Sequence, residues 1–321
     1  MQGVILAAGK GKRLQPVTPA RTKAMAPVAG KPIVARVLDL LVQTGVQDLI
    51  LLVSPDDEEI VPYFEQHRPP GVKLTFVVQH ERLGMAHALG LVAPYLYGDF
   101  IMSACDNLVP PEHLAAMVAN HRHEQASATL SLMEIDIAES ASTGIVEWQD
   151  SAQKFIRRIV EKPQPAEAPS NVSSLPLYVF SPKILELLPA VKPSKRGEYE
   201  LQDAIQLLID RCGGVTGVLT PVRWQLTNVA DLLELNRHYL TVESVDGQSD
   251  QHWVDNGVHL IPPVRIDAGC VLESGCTIGP YVYLEAGCRV GAGAHIENAI
   301  LLRNTVVATG STISDTVVLH T

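Results

Sequence analysis

The stretch Leu6-Ala7-Ala8-Gly9-Lys10-Gly11-Lys12-Arg13-Leu14 has the composition of an anion site. An apolar run closes in small residues, and two glycines follow. Without side chains, Gly9 and Gly11 let backbone N–H groups approach a phosphate and tolerate positive φ. Arg13, and Lys23 further on, carry charge that can offset the same anion. This is not a Walker loop, because no Lys-Ser or Lys-Thr closes it. It is not a dinucleotide fingerprint, because the third glycine is missing. A bare Gly-x-Gly says little; the ordered set of Arg13, Lys23 and Pro27-Val28-Ala29-Gly30-Lys31-Pro32 is more specific. Asp106 is a second candidate. It follows the apolar run Phe100–Cys105, where a carboxylate can reach a magnesium ion bridging phosphate oxygens. A lone aspartate there is also a common turn residue.

These residues need a scaffold. Residues 1–243 alternate short apolar runs with amphipathic stretches. Strands are expected at Gly3–Ala8, Leu49–Ser54, Lys73–Gln79 and Phe100–Cys105, then around Ser127–Met133, Phe155–Glu161 and Leu175–Phe180. Helices are expected at Pro32–Thr44, Glu58–Gln66, Gly84–Tyr95, Pro111–Glu124, Leu201–Arg211 and Ala230–Glu243. This alternation indicates an α/β, Rossmann-like domain with a mainly parallel sheet and helices on both faces. Ligands of such sheets bind at the carboxyl ends of the strands, so the loops after Ala8, Gln79 and Cys105 should converge.

Residues 244–251 read as a linker, and residues 252–321 follow a different grammar. Apolar residues recur every six positions at Ile266, Leu272, Ile278, Leu284, Val290 and Ile296. After one five-residue step the series resumes at Leu301, Val307, Ile313 and Leu319. Small or branched residues precede many of them by two positions, among them Cys270, Cys276, Cys288, Ala294, Thr305 and Ser311. Such hexapeptide repeats signal a parallel β-helix of about three coils. The three cysteines occupy one position of the repeat, which makes them interior fillers rather than zinc ligands. An exposed β-helix end must be capped or paired, so homo-oligomerisation through this tail is expected.

Composition narrows the field. The chain has 321 residues, 46% of them apolar, and a formal net charge of -10. That charge argues against nucleic acid as a partner. No apolar run is long enough to span a membrane, and the N-terminus lacks the features of a signal peptide. The five cysteines form no Cys-x-x-Cys pair, which favours reduced thiols and a cytoplasmic location.

With these segments in view, the sequence resembles the sugar-1-phosphate nucleotidyltransferases, and within them the long-form glucose-1-phosphate thymidylyltransferases that carry a left-handed β-helical tail. Gln79-His80-Glu81-Arg82-Leu83-Gly84 resembles the base-reading segment and Cys105-Asp106-Asn107 the metal turn. Thr143-Gly144-Ile145-Val146-Glu147 and Glu161-Lys162-Pro163 resemble the sugar and phosphate contacts. Arg196-Gly197-Glu198-Tyr199-Glu200-Leu201-Gln202-Asp203 resembles a further family segment without an assigned role. The resemblance implies a nucleoside triphosphate and a sugar 1-phosphate as substrates and Mg2+ as cofactor. Nucleotide contacts would fall on Leu6, Ala8, Gly9, Gly11, Gln79 and Gly84. Sugar contacts would fall on Asn107, Gly144, Glu161 and Tyr178. Arg13, Lys23, Asp106 and Lys162 would carry the catalysis. An amide at Gln79 matches the imide edge of uracil or thymine, which favours dTTP or UTP. The implied reaction is in-line attack of the sugar phosphate on the α-phosphorus, helped by alignment and charge neutralisation rather than a general base.

Three positions depart from the family pattern. Cys105 stands where glycine is usual. Pro176 stands at a sugar-contacting glycine and has no N–H to donate. Leu226 stands at the second metal-binding aspartate, with Asn228 as the nearby position that could replace it. These departures leave open a nucleotide-binding or regulatory paralogue of low turnover. An acyltransferase activity of the short tail is disfavoured, because no long loop interrupts the repeats.

Overall fold

The computed structural model describes the chain except residues 10, 12, 13, 15, 16, 18–20, 244–252, 256, 320 and 321. Arg13 and the expected linker at 244–251 therefore lie outside the described residues. In chain order the elements begin with β1 (Gln2–Leu6), the hairpin β2 (Pro27–Val28) and β3 (Lys31–Pro32), α1 (Ile33–Gln43), β4 (Asp48–Val53) and α2 (Ile60–His67). Next come β5 (Lys73–Val78), α3 (Met85–Val92), β6 (Phe100–Ala104), β7 (Asn107–Leu108), α4 (Pro111–His123), β8 (Ala128–Glu134) and β9 (Gly144–Trp148). Then follow β10 (Ile156–Glu161), β11 (Val172–Phe180), α5 (Lys183–Leu187), α6 (Leu201–Cys212), β12 (Val215–Leu219), β13 (Trp224–Gln225) and α7 (Val229–Val242).

Two compact units emerge from the chain. One comprises Met1–Gly9 and Val34–Arg223, the other Lys10–Ile33 and Trp224–Thr321. This division differs from a boundary at residue 243: α7 and the segment Lys10–Ile33 group with the coils.

Among the described residues, the first unit holds a nine-stranded sheet in the order β10-β9-β11-β6-β1-β4-β5, with β8 pairing β11 and β12. The alternating half behaves as expected, with β6, β1, β4 and β5 parallel. β11 then runs antiparallel to β6, β8 and β9. Sequence reading missed β9 and β12, which are short and contain Gly144 and Gly217. The amphipathic faces of α3 and α6 supply the apolar cover. Ala86, Leu89 and Val92 of α3 and Leu201, Ala204, Ile205 and Leu208 of α6 join one core with Val4, Leu52, Phe100, Met102 and Leu130. Their three- and four-residue spacing puts them on one helical stripe.

In the second unit the strands stack into parallel coils. Trp253 pairs with Val271, Val271 with Arg289, and Arg289 with Val306, so successive rungs are offset by 18, 18 and 17 residues. The interior is filled by Ile266, Leu272, Ile278, Leu284, Val290 and Ile296, together with Cys270, Cys276 and Cys288. The five-residue step has a physical origin. The strand His295–Leu301 runs through a corner at which Asn298 takes φ 42°, and Asp315 takes φ 51° one coil later. Asparagine and aspartate tolerate this left-handed conformation better than other residues with a Cβ. The Asn298 amide donates to Asp315, which repeats the corner as a side-chain ladder.

Candidate active site

Four parallel strands of the first unit end along one edge, and pairing continues one residue past them. The Ala7 N–H donates to Leu52 O at 2.7 Å, Gln79 N–H to Val53 O at 2.9 Å and Cys105 N–H to Leu6 O at 3.1 Å. The three loops expected to converge therefore leave the sheet side by side. Ala8 is buried and Gly9 exposed, and a Cβ built on Gly9 would meet nothing within 4 Å. Arg82 ties these strand ends together. Its Nε donates to Ala8 O at 2.8 Å, and its Nη2 donates to Ser54 Oγ and, at 3.0 Å, to Asp56 Oδ2. Gly11, in the second unit, has φ 59°, a conformation that glycine adopts without strain.

Gln79 is 5% exposed, with its Nε2 3.4 Å from His87 Nδ1. Gly84 precedes α3 at φ 108°, and a Cβ there would lie 2.5 Å from Tyr199 O, so only glycine fits. The Tyr199 N–H donates to Leu83 O at 2.7 Å, and its carbonyl accepts from Ala86 N–H at 3.0 Å. The segment around Arg196–Asp203 thus acts partly through its backbone, bracketing the turn of Gly84.

A second cluster lies where β11 changes neighbours. Its residues Val172–Ser174 pair with β9, and Leu177–Phe180 pair with β6. Between them the register against β8 shifts, so Pro176 falls where the ladder is already interrupted and its missing N–H matters least. Gly144 pairs with Ser174 on one side and with Glu161 on the other. Directly paired residues project to one face, so these three positions form a row. At Gly144 a Cβ would stand 3.2 Å from Gln202 Cγ and 3.4 Å from Glu161 Oε2, so the glycine lets the Gln202 side chain pack against the row. Glu161 Oε1 receives Lys162 Nζ at 3.2 Å and Arg196 Nη2 at 3.1 Å. Its Oε2 is buried without a hydrogen-bond partner, as is Asn107 Nδ2. Lys162 takes φ 48°, an unusual conformation for a lysine that reverses the chain immediately after β10. Burial raises the Asp203 carboxyl above its ordinary pKa, and Glu200 and Glu161 add to the rise.

The comparisons give the family. A family model described as "Nucleotidyl transferase" matches residues 2–242, and a model of the GMPPB C-terminal domain matches residues 260–320. A UTP–glucose-1-phosphate uridylyltransferase of Haloferax volcanii is 36% identical over 226 residues, covering 70% of this chain and 90% of the relative. A glucose-1-phosphate thymidylyltransferase of Streptomyces griseus is 32% identical over 317 residues, covering 98% and 84%. The chain belongs to the sugar-1-phosphate nucleotidyltransferases. It is therefore an enzyme that moves a nucleotidyl group from a nucleoside triphosphate to a sugar 1-phosphate, giving a nucleotide sugar. A solved UDP-glucose pyrophosphorylase in complex with UDP-glucose shares the fold, with a TM-score of 0.67 at 22% identity. It covers 75% of this chain and 98% of that one.

As a sugar-1-phosphate nucleotidyltransferase, the chain places its expected residues unevenly. Gly144, Glu161 and Lys162 come together in the row described above. Leu6, Ala8, Gly9, Gln79 and Gly84 lie along the strand-end edge of the first unit. Asp106 is half-buried in the turn after β6, and the neighbouring Asn107 is fully buried, its Oδ1 accepting from Arg223 Nε at 2.8 Å. Lys23, in the second unit, opens a 3-10 turn, Lys23–Met25.

Two expected residues are used otherwise. Tyr178 is 1% exposed and stacks on Phe180 at 5.3 Å, so its ring is core rather than pocket wall. Burial pushes its phenol well above the ordinary range; Ser174 and Arg223 oppose that rise and Glu161 reinforces it. Asn228 caps α7: its Oδ1 accepts from Asp231 N–H at 3.0 Å, and Asp231 closes the reciprocal capping box. A side chain committed to a cap is a poor metal ligand, and Leu226 nearby is fully buried. Sequence reading missed Arg82 and His87, which follow Gln79 in a segment already singled out.

Proposed function

We propose that this enzyme joins a pyrimidine nucleotide, dTTP or UTP, to a hexose 1-phosphate such as glucose 1-phosphate, giving the NDP-sugar and pyrophosphate. The observation that carries the sugar half of this reading is the buried, unpartnered Glu161 Oε2, which lies beside Gly144 in the row. A carboxylate oxygen in that setting accepts hydrogen bonds from sugar hydroxyls. Lys162, beside it, holds the sugar phosphate. Gln79, buried at the end of β5 and steadied by His87, reads the imide edge of the base together with the backbone of Gly84. Gly9, exposed after β1, brings a backbone N–H to the triphosphate. A sugar-phosphate oxygen bonds to the α-phosphorus as the bond to pyrophosphate breaks.

Asp106 is the residue that would hold Mg2+. Among the described residues, no group of three His, Cys, Asp or Glu side chains could hold a metal. A single carboxylate suits Mg2+, which proteins commonly hold through one or two carboxylates together with substrate phosphates. When bound, Mg2+ offsets triphosphate charge. All five cysteines are free thiols, which suits the cytoplasm. Among the described residues, no helix is long and apolar enough to cross a membrane. Self-association through the coils is supported by the last strands, Val306–Val307 and Thr312–Val318, which end their stacks with Val306 57% exposed. Light scattering on the purified protein tests that assembly; a strict monomer refutes it.

The test of the reaction is a matrix of dTTP, UTP, CTP, ATP and GTP against several sugar 1-phosphates with Mg2+, read by pyrophosphate release and product mass. The expected result is turnover with dTTP or UTP and a gluco-configured sugar phosphate. Preference for a purine triphosphate would sink the base assignment.

A further inference from the structure

Resting on the assignment of Lys23 to catalysis by resemblance, we infer that one outer face of the coils seats the segment that carries Lys23, with Arg265 as a positioning residue for the reaction. The strands Val264–Ile266 and Val282–Leu284 stack in register, with Arg265 opposite Tyr283. Val264, Ile266, Val282 and Leu284 fill the coil interior, so Arg265 and Tyr283 point outward by alternation. Outward side chains of a coil ordinarily meet water. Tyr283 is nevertheless 1% exposed, and Glu285, just beyond the same strand, is 5% exposed. This face of the coils is covered, and its contacts identify residues 21–30 as part of the cover.

That segment is fixed to the tail at both ends. At one end, Arg21 reaches Glu285 through two guanidinium nitrogens, at 2.9 and 3.1 Å, and Arg303 holds the same carboxylate from the far side of the pair. At the other end is the two-residue turn Ala29-Gly30 of the β2–β3 hairpin, with φ 43° and 78°. Two positive φ values suit a tight hairpin but are unfavourable for alanine, which carries a Cβ. Such a conformation persists where its surroundings fix it. Here the Ala29 N–H donates to Asn236 Oδ1 of α7 at 3.2 Å, and the Arg265 side chain occupies the place where a Cβ on Gly30 would stand. Arg265 is held in turn: its Nε donates to Asp267 Oδ1 at 3.1 Å, and Asp267 Oδ2 accepts from the Tyr283 hydroxyl at 2.6 Å. Lys23 and its turn, Lys23–Met25, stand in the chain between these two anchors. A lysine delivers its charge only where its backbone is held, and a displacement of about 1 Å can cost a reaction about a hundredfold.

A double-mutant cycle of Arg265→Ala and Lys23→Ala tests this on the full-length enzyme, with Mg2+, saturating sugar 1-phosphate and the triphosphate that turns over fastest. The Arg265 side chain is 35% exposed, so its ion pair with Asp267 is a surface one. Its loss should lower the Tm by no more than about 3 °C. Arg265→Ala alone is expected to lower kcat/KM for the triphosphate by about tenfold. In the Lys23→Ala background the same change should cost less than about twofold, because the group being positioned is already gone. A residue that merely supports the fold would cost the same in both backgrounds. Unchanged kcat/KM in Arg265→Ala overturns the inference, as do losses that simply multiply in the double variant. Lys23→Ala alone is the control on the underlying assignment. If it is slow while Arg265→Ala is not, the seat alone fails. If Lys23→Ala turns over like wild type, the catalytic assignment of Lys23 fails, and the inference falls with it.

Discussion

Glu161 and Glu285 are both largely buried glutamates, and they are completed in opposite ways. Glu285, in the coiled unit, has both oxygens occupied. Its Oε1 receives Arg21 Nη1 at 2.9 Å and Arg303 Nη2 at 3.3 Å; its Oε2 receives Arg21 Nη2 at 3.1 Å and the Arg303 N–H at 2.8 Å. Glu161, in the sheet unit, has Lys162 and Arg196 on one oxygen and nothing on the other. A carboxylate finished by its own chain is part of the architecture. One finished on one side only has an oxygen left for a ligand. On the proposed reading, the difference separates a residue that holds the protein together from one that holds its substrate.

The comparison can be broken most forcefully at Glu285. Glu285→Ala should destabilise the folded protein by about 3–5 kcal/mol, because Arg21 would be left buried without its carboxylate. Chemical denaturation measures this, and a change below about 1 kcal/mol would remove the distinction drawn above. Glu161→Gln should do the reverse. Its stability should stay within about 1 kcal/mol of wild type while the KM for the sugar 1-phosphate rises by about tenfold to a hundredfold, as expected for hydrogen bonds to a charged group. Steady-state kinetics and a thermal melt on one preparation read both.

Gly144→Ala sharpens the same point sterically. The new methyl would lie 3.2 Å from Gln202 Cγ and 3.4 Å from Glu161 Oε2, contacts that side chains can relax. Folding should survive, and the sugar KM should rise by roughly tenfold, as a loss of about 1–1.5 kcal/mol of contact implies. A lowered sugar KM would show that the space is not used by the sugar. The smallest effect is expected for Tyr178→Phe. The ring is core and its phenol stays protonated well past neutral pH, so the sugar KM should change by less than about twofold. A larger, sugar-selective loss would return Tyr178 to the pocket.

Much of this was legible in the sequence. Apolar runs and three- and four-residue stripes placed the strands from Gly3 to Cys105 and the helices over them to within a few residues. The six-residue spacing from Ile266 onward marked the coils, and even its one irregular step corresponds to a real corner at Asn298. The glycine-rich loop, Gln79 and Glu161-Lys162 stood out in the sequence through their resemblance to family motifs. The unusual Pro176 was visible too, but its harmlessness to the sheet was not; that depends on where β11 exchanges β9 for β6.

The sequence alone determined which segments become strands, helices and coils, because periodicity expresses a local competition between burial and solvation. Tertiary structure decided what the polar residues do. No spacing distinguishes Glu161 from Glu285. Their roles follow from which distant strand lies opposite and whether a partner comes with it, and pairing register is set by the packing of whole faces rather than by the residues themselves.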